Sequence, residues 1–329
     1  QQQHSNLLGH RMVAGAGLRS TLRSCAKRAS WAEALELIQA QHFGSRAALS
    51  RPPLGALNLA VFACSGGGAW LQALWLMQEA RLSRLATSAV THSAVMVACV
   101  RASRWSQALS LFARLLEEPQ PAVDLVVFNT ALGASSASNH WPRTLALLKE
   151  MRRGRSTASL ASDGPSGPRP LPSPDTASFN AALSSCERAG QSDRCLGLMA
   201  TMLADRLSPD IASYSSAIRA SSRFGNWEEA LALLCVAQLR SVSTDIAAFS
   251  AAVTACEKGW QWEHAIALLC LASRSAVRPD LASRNAAISA CEKCAQWERC
   301  LVLLDQRTFR DAVDAVGAHA AATGCARAG

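Results

Sequence analysis

Tryptophan recurs at a nearly fixed interval along the 329 residues of this chain. The series comprises Trp31, Trp70, Trp105, Trp141, Trp227, Trp262 and Trp297. The last three are 35 residues apart, and Ser192 keeps the same register 35 residues before Trp227. Self-similarity with a period of this length is the signature of a repeat protein, whose short units stack along one direction. The chain is therefore predicted to be a solenoid without a single central core.

Alignment of the tryptophans divides the chain into eight units. They span 15–53, 54–88, 89–124, 125–175, 176–210, 211–245, 246–280 and 281–314. The fourth unit contains a stretch rich in Pro, Gly and Ser from Gly154 to Pro174, which is predicted to be a loop insertion. Residues 1–14 form a tail before the first unit, and 315–329 repeat the first half of a unit as a partial repeat or cap.

Within a unit, apolar residues occur twice at helical spacing. In the unit 246–280 the two sets are Phe249, Val253 and Cys256, followed by Trp262, Ala265, Ile266 and Leu269. Gly259 lies between the sets, where the first helix is expected to end. Each unit is therefore predicted to be a helix, a tight turn and an antiparallel helix.

The net charge is +9, and the basic excess lies toward the N-terminus. Residues 1–53 carry seven Arg or Lys residues against Glu33 and Glu36. This charge is compatible with a polyanionic partner without requiring one. No stretch reaches the roughly 18 uninterrupted apolar residues of a membrane span, so no membrane partner is expected.

The sequence begins with Gln1, and no acidic residue precedes Glu33. Arg and Lys among Ser and Thr in this opening resemble the composition of an organelle transit peptide. We therefore expect a processed or partial sequence, with 1–14 as a transit-peptide remnant and a location in the chloroplast or mitochondrion.

Further landmarks agree in register across units four to eight. An aromatic residue followed by a small polar one begins the first helix in Phe128-Asn129, Phe179-Asn180, Tyr214-Ser215 and Phe249-Ser250. Units end in Pro174-Asp175, Pro209-Asp210 and Pro279-Asp280. This pattern resembles the pentatricopeptide repeat family, with P-type-like units of 35 residues. A tetratricopeptide repeat carries its Trp in the first helix, which this chain does not.

The resemblance implies an all-α fold, a right-handed superhelical solenoid of stacked antiparallel helical hairpins. Its landmarks are weaker over 15–124, where Leu18, Leu57 and His92 replace the aromatic residue, and Arg284 replaces it in the last unit. Proteins of this family bind single-stranded RNA, one nucleotide per repeat. They act in organellar RNA processing, stability, editing or translation.

The family reads each base with the polar residue after the aromatic and the last residue of the unit. The implied pairs are Asn58 with Ser88, Ser93 with Asp124, Asn129 with Asp175, Asn180 with Asp210, Ser215 with Asp245, Ser250 with Asp280, and Asn285 with Asp314. Arg19 and Pro53 of the first unit match no reading pair. The family's preferences imply a target near 5′-(C/U)GUUGGU-3′. The Asp residues are also good helix N-caps, and the two roles are compatible.

A basic residue follows most of the reader positions by eight residues, at the end of the first helix, although Gly66 and Ala137 stand there after Asn58 and Asn129. The expected phosphate-binding residues are Lys27, Arg101, Arg188, Arg223, Lys258 and Lys293, with Arg327 in the partial repeat. The alternative is that these cations favour helix C-termini, where Glu187, Glu257 and Glu292 compensate their charge.

Cysteines recur in the same register. Cys25, Cys64, Cys99, Cys186, Cys256, Cys291 and Cys325 share one position of the first helix, and Cys235 and Cys270 share one position of the second. This regularity predicts small structural thiols in a reducing compartment. Cys291 and Cys294 have the spacing of a zinc half-site, but no second pair completes it.

The sequence contains no recognisable catalytic set, so we expect no enzyme activity, cofactor or metal in this array. Single-stranded RNA is the expected partner of a monomer, together with protein factors of RNA metabolism. The family places a branched apolar side chain between adjacent bases. In this chain Val90 and Val126 occupy that position, but alanine replaces it later and offers less surface for stacking, at Ala177, Ala212, Ala247 and Ala282. Two alternatives therefore stay open, a protein-binding helical scaffold and the array part of a longer enzyme whose catalytic domain is missing.

Overall fold

The computed structural model describes most of the repeat array. The described residues are 15–28, 30–44, 54–82, 88–117, 123–158, 171–242, 244–274 and 279–294, with 296 and 298. The regular secondary structure of these segments is α-helical. The tail 1–14, most of the second helix expected in the unit 281–314, and the partial repeat 315–329 lie outside them.

The helices alternate between the first and second helix of successive hairpins. In chain order they are α1 (Gly15–Arg28), α2 (Trp31–Gly44), α3 (Leu54–Gly67), α4 (Trp70–Leu82), α5 (Ala89–Arg101), α6 (Trp105–Glu117), α7 (Leu125–Ala137), α8 (Trp141–Ala158), α9 (Thr176–Arg188), α10 (Ser192–Ala204), α11 (Ile211–Phe224), α12 (Trp227–Leu239), α13 (Ile246–Lys258), α14 (Trp262–Arg274) and α15 (Leu281–Lys293). Each described tryptophan of the series begins a second helix, as the period predicts.

The described hairpin turns contain one left-handed residue at an equivalent position. These residues are Gly68, Ser103, Asn139, Gly190, Gly225 and Trp260, with φ between 56° and 74°. Gly259 is the C-cap of α13, as expected, but its φ is −82°. Its lack of a side chain has another cause, because a Cβ there would lie 2.3 Å from Cδ1 of Trp227 in the preceding hairpin.

The chain divides into two compact units, residues 1–173 and 174–329. In the first unit, α1 packs on α3, α3 on α5 and α5 on α7, so the first helices form one layer. Second helices contact their own first helix and the next one. Phe112 of α6 meets Phe128 of α7 edge-on, with ring centroids 5.1 Å apart. The repeats therefore stack through buried apolar faces.

The second unit repeats this arrangement, with α9 on α11, α11 on α13 and α13 on α15. Its core includes Phe249, Val253 and Leu269, which are buried between hairpins. Trp227 and Trp262 pack against this core and are partly buried. The tryptophans therefore act as packing residues of the scaffold.

Two details differ from the sequence-based expectations. Helix α8 continues to Ala158, so the first residues of the predicted loop insertion 154–174 are helical. The apolar residues of this helix are followed by Arg, Ser and Thr, with no proline before Pro165 to end it. Cys235 and Cys270 are exposed, whereas Cys64, Cys99 and Cys256 are buried as predicted. Repeat register equates Cys235 with Cys270 but does not show which helix face they occupy.

Candidate nucleic-acid interface

The residue that ends each unit caps the first helix of the next one. The described N-caps are Ser88, Asp124, Asp175, Asp210, Asp245 and Asp280. Each side chain accepts a hydrogen bond from the backbone N–H three residues later, at 2.8 to 3.3 Å. Such a cap satisfies an otherwise unpaired helix N–H. At Asp210 and Asp245 the capping side chain also contacts the reader residue of the preceding repeat.

Asn180 and Asp210 form a direct side-chain pair between adjacent repeats. Nδ2 of Asn180 donates to both carboxylate oxygens of Asp210, at 3.1 and 3.0 Å. Oδ1 of Asn180 accepts a 2.6 Å hydrogen bond from the hydroxyl of Ser213, the third residue of α11. The structure therefore brings together the predicted pair and adds a third residue to it.

The environment of Asp210 favours its ionised form. Partial burial opposes the charge, but hydrogen bonds from Ser213, Asn180 and the backbone N–H of Ala212 outweigh it and lower the pKa of the Asp210 carboxyl below its usual value. An ionised carboxylate accepts hydrogen bonds and cannot donate them. At neutral pH this exposed side chain therefore presents acceptors alone.

Ser215 and Asp245 form the next pair along the chain. The hydroxyl of Ser215 donates to Oδ1 of Asp245 at 2.9 Å. Ser215 is only 3% exposed, whereas Asp245 is exposed. A ligand would therefore meet mainly the carboxylate, with the serine positioned behind it.

Asn58 and Ser88 are linked through Thr91. The Thr91 hydroxyl donates to Oδ1 of Asn58 at 2.7 Å and lies 3.0 Å from the hydroxyl oxygen of Ser88. Thr91 is the third residue of α5, the position that Ser213 holds in α11. A hydroxyl at this helix position therefore donates to the reader asparagine in both compact units, although only Asn180 also contacts its cap residue directly.

The other predicted pairs differ in their described contacts and exposure. The Ser93 hydroxyl donates to the carbonyl oxygen of Val90 at 2.9 Å, within its own helix and not to Asp124. Ser250 is half-buried on α13, and the hydroxyl that bonds Asp280 is that of Ser283. Asn129 on α7 and Asn285 on α15 are half-buried, Asp175 caps α9, and Asp314 lies outside the described residues.

The predicted phosphate-binding cations lie at the ends of first helices and contact the preceding repeat. Nη1 of Arg101 donates to the carbonyl oxygens of Ser65 and Gly66, at 3.0 and 3.1 Å. Lys258 makes the equivalent contacts with the carbonyl oxygens of Ser222 and Arg223. These cations satisfy C-terminal carbonyls of the neighbouring first helix, which supports the helix-end interpretation.

The remaining cations differ in their contacts. Nζ of Lys293 lies 2.9 Å from Oε1 of Glu257 in the preceding repeat. Nε of Arg188 donates to the carbonyl oxygen of Ser184 in its own helix. Arg223 is exposed, and the side chain of Lys27 lies outside the described residues. Four of the predicted positions therefore retain exposed charge, at Arg101, Arg188, Arg223 and Lys258.

The glutamates that precede these cations form hydrogen bonds and ion pairs between adjacent repeats, which the sequence analysis did not predict. Nε and Nη2 of Arg219 donate to the carboxylate of Glu187 at 2.7 and 3.0 Å. Glu257 accepts from Ser289 and Lys293 of the next repeat. These glutamates bridge repeats, whereas the sequence suggested compensation within one helix. Their partners lie 32 or 36 residues away, a spacing that could have indicated contact between adjacent repeats.

Exposed apolar side chains flank the reader positions. Val90 and Val126 are 47% and 59% exposed, as expected of residues that could contact bases. Ala212 and Ala247 offer less surface, but the preceding Ile211 and Ile246 are also exposed. In these two repeats of the second compact unit, the exposed branched apolar side chain therefore lies one residue before the position expected from the family pattern.

In the part of the chain that the structure describes, no three His, Cys, Asp or Glu side chains are grouped as metal ligands would be. None of its helices has the length and apolar character needed to cross a membrane.

Comparisons with known proteins agree with the fold. The family model described as PPR repeat matches residues 90–119 and 212–238. The crystal structure of the pentatricopeptide repeat protein PPR10 from maize is similar with a TM-score of 0.63 and 23% identity, covering 90% of this chain and 40% of that chain. The crystal structure of PPR10 in complex with an 18-nt psaJ RNA element has a TM-score of 0.52 and 20% identity, and the match covers 98% of this chain and 39% of that chain. No curated protein sequence matched.

The chain spans about two fifths of the solved chains that it resembles. At these identities the likeness shows the fold, an all-α solenoid of helical hairpins. The family model matches two repeats, one in each compact unit, at the register set by the tryptophans. The chain therefore contains two segments that match the PPR repeat model, and its fold is that of the solved pentatricopeptide repeat structures.

Proposed function

We propose that this chain binds single-stranded RNA, with one nucleotide at each reader pair. The observation that carries the proposal is the Asn180–Asp210 pair, whose polar atoms recur at equivalent positions along the array. PPR10, which shares the fold, was crystallised with an 18-nt RNA. The pairs Asn58–Ser88, Ser93–Asp124, Asn129–Asp175, Ser215–Asp245, Ser250–Asp280 and Asn285–Asp314 are assigned the same role.

Hydrogen-bond chemistry supports base selection at these pairs. An ionised Asp accepts from an N–H, and uracil and guanine carry a ring N–H at the centre of their Watson–Crick edge. Cytosine and adenine have a ring acceptor there, which a carboxylate repels. Nδ2 of Asn180 has a second hydrogen for a carbonyl oxygen of uracil, whereas Ser215 leaves more room for the larger guanine. The proposed target is near 5′-(C/U)GUUGGU-3′.

The exposed cations support a weaker contribution to RNA affinity that does not depend on base sequence. Arg101 has five N–H donors and Lys258 three, so the carbonyl contacts leave donors for a phosphate. Arg188, Arg223, Lys293 and Lys27 complete the proposed row. Neutralised phosphates release counterions, so affinity should fall as salt rises.

We place this activity in an organelle, in RNA processing, stability, editing or translation. The basic, acid-poor opening of the sequence supports an organellar location. The proposed array acts by binding, and it carries no catalytic step of its own. Protein factors of RNA metabolism would then act on the bound transcript.

A gel-shift titration tests the proposal. One RNA contains 5′-CGUUGGU-3′ and the other is a scrambled version of the same length, each measured across a salt series. We expect tighter binding of the first RNA at every salt concentration, and weaker binding of both as salt rises. Failure of both RNAs to bind at low salt would overturn the RNA assignment and favour a protein-binding scaffold.

An exchange of the reader residues tests base recognition separately. Asn180→Asp combined with Asp210→Asn keeps the two side-chain types but reverses the donor and acceptor positions. We expect about tenfold weaker binding of 5′-CGUUGGU-3′, the loss of about one good base contact. Unchanged affinity and specificity would show that this pair does not read a base.

A further inference from the structure

We infer that base reading by Asn180 and by Asn58 requires a third residue, the hydroxyl side chain at the third position of the next first helix. Ser213 is this residue for Asn180, and Thr91 is this residue for Asn58. They are positioning residues, since their hydroxyls contact the reader asparagine. This inference rests on the proposed RNA-binding function and extends it to residues outside the reader pairs.

The contacts of Asn180 fix which way its amide points. Asp210 is ionised and accepts only, so the atom that faces it must be the donor Nδ2. Ser213 supplies a hydroxyl hydrogen at 2.6 Å, so the atom that faces it must be Oδ1. The opposite orientation would place Oδ1 against a carboxylate and leave the amide nitrogen to the hydroxyl. The two neighbours therefore select one orientation of the amide.

The hydroxyl hydrogen of Ser213 has three acceptors within reach. Oδ1 of Asn180 lies 2.6 Å from Oγ of Ser213, Oδ1 of Asp210 lies 2.9 Å from it, and the weakly accepting Sδ of Met202 lies 3.9 Å from it. The backbone N–H of Asp210 donates to the same Oγ at 3.2 Å, and the backbone N–H of Ser213 already serves the carboxylate. The shortest distance favours donation to Asn180. The helix cap then survives through backbone donors while the hydroxyl orients the asparagine.

Three of the four asparagine readers have a hydroxyl residue at this position of the next unit. Asn58 is followed by Thr91, Asn129 by Ser178 and Asn180 by Ser213, whereas Asn285 is followed by Gly317. The readers Ser93 and Ser215 are followed by Val127 and Ala248. A serine reader needs no orienting partner, because its hydroxyl rotates and donates directly, as Ser215 does to Asp245.

The remaining serine reader provides a matched control. Ser250 is followed by Ser283, whose hydroxyl donates to Asp280 within its own helix cap. The backbone N–H of Ser283 bonds Oδ1 of Asp280 at 2.8 Å, much as Ser213 bonds Asp210. Ser283→Ala therefore removes a comparable cap hydroxyl without removing a contact to an asparagine.

The binding test compares RNAs that differ at the nucleotide assigned to Asn180, the fourth of 5′-CGUUGGU-3′. In Ser213→Ala, we expect the preference for U over C at this nucleotide to fall about tenfold, roughly the effect of one hydrogen bond. The preference for G over A at the fifth nucleotide should not change. Ser213→Thr should restore the U preference, and Ser283→Ala should leave it intact.

A second measurement reads the amide in the free protein. The side-chain NH₂ signals of Asn180 in a ¹⁵N–¹H spectrum are assigned by their loss in Asn180→Ser. We expect Ser213→Ala, but not Ser283→Ala, to move these signals toward those of a solvent-exposed asparagine. Unmoved signals would overturn the inference, as would an unchanged U preference in Ser213→Ala.

The two measurements separate the inference from the proposed function. If the amide signals move but no RNA binds, the orienting contact exists and RNA binding is wrong. If RNA binds with base preference but Ser213→Ala changes neither the signals nor the preference, RNA binding stands and the third residue has no positioning role. An equal loss of affinity for every RNA would indicate a purely structural effect and would also overturn the inference.

Discussion

Nζ of Lys258 lies 3.0 Å from the carbonyl oxygen of Ser222, in the last turn of the first helix of the preceding repeat. Arg101 contacts Ser65 in the same way in the other compact unit. A basic residue at this position therefore links adjacent repeats, because it neutralises the partial negative charge at a helix C-terminus. The structural role depends on this contact between repeats, whereas a phosphate-binding role depends on exposed positive charge.

Substitution of Arg223 and of Lys258 should separate these roles. Arg223→Ala removes an exposed charge, so we expect a shallower salt dependence of RNA binding, by about one unit of slope, with little change in stability. Lys258→Met removes a contact between repeats and should also lower the free energy of unfolding by roughly 1 kcal/mol. Salt-series gel shifts and urea unfolding measure the two effects. Equal destabilisation by both variants would contradict this assignment.

Asp210 should titrate below an ordinary aspartate. Its partners stabilise the ionised form, and Nδ2 of Asn180 supplies two of the contacts. In Asn180→Ala we expect the pKa of Asp210 to rise toward that of an ordinary aspartate, as measured by ¹³C NMR of the carboxyl group. A pKa that is the same in both proteins would show that the pair is not formed in solution.

The lowered pKa also sets the direction of a pH effect on stability. The folded protein holds Asp210 ionised at a pH where the unfolded chain has begun to protonate it. The stabilisation is therefore fully present above the unfolded value and is lost as pH falls through the folded one. The stability difference between wild type and Asp210→Asn should shrink on acidification below about pH 4.

The repeat register and the hairpin order could be predicted from the sequence because both follow from periodicity. The tryptophans mark the start of each second helix, and the unit-ending Asp residues are recognisable N-caps. The contact of Ser213 with Asn180 could not be predicted in this way, since the two residues are 33 apart and meet only when hairpins stack. Periodicity also equated Cys235 with Cys270 without revealing that both face outward.

Gly259 should be required for hairpin stacking. A Cβ at this position would lie 2.3 Å from Cδ1 of Trp227, a ring carbon that is held between repeats. Gly259→Ala is therefore expected to destabilise the protein by about 1–3 kcal/mol. Gly197→Ala is the control, because a Cβ at Gly197 in α10 meets nothing within 4 Å and alanine favours the helix by about 0.5–1 kcal/mol. Urea unfolding of both variants should show opposite signs.

Cysteine reactivity should follow burial and not repeat position. Burial raises the pKa of the Cys256 thiol to about 11, and the same cause acts at Cys64 and Cys99. These thiols are protonated and enclosed at pH 8, whereas Cys235 and Cys270 are exposed. Mass spectrometry after brief alkylation of the native protein should find Cys235 and Cys270 modified first. Alkylation of Cys256 at the same rate would contradict the buried first-helix layer.

A change of base preference in the repeat that contains Ser215 should require two substitutions. Ser215→Asn alone introduces an amide beside Asp245, but the residue at the orienting position is Ala248, which has no hydroxyl. We expect this variant to lose its preference for G at the fifth nucleotide and to gain little preference for U. Adding Ala248→Ser reproduces the arrangement of Asn180, Ser213 and Asp210, so the double variant should prefer U by about tenfold.

Ala248→Ser alone serves as the control and should keep the preference for G. Gel shifts with RNAs that carry U, G, A or C at the fifth nucleotide measure all three variants. An equal U preference in the single and double variants would show that the reader pair alone sets base choice.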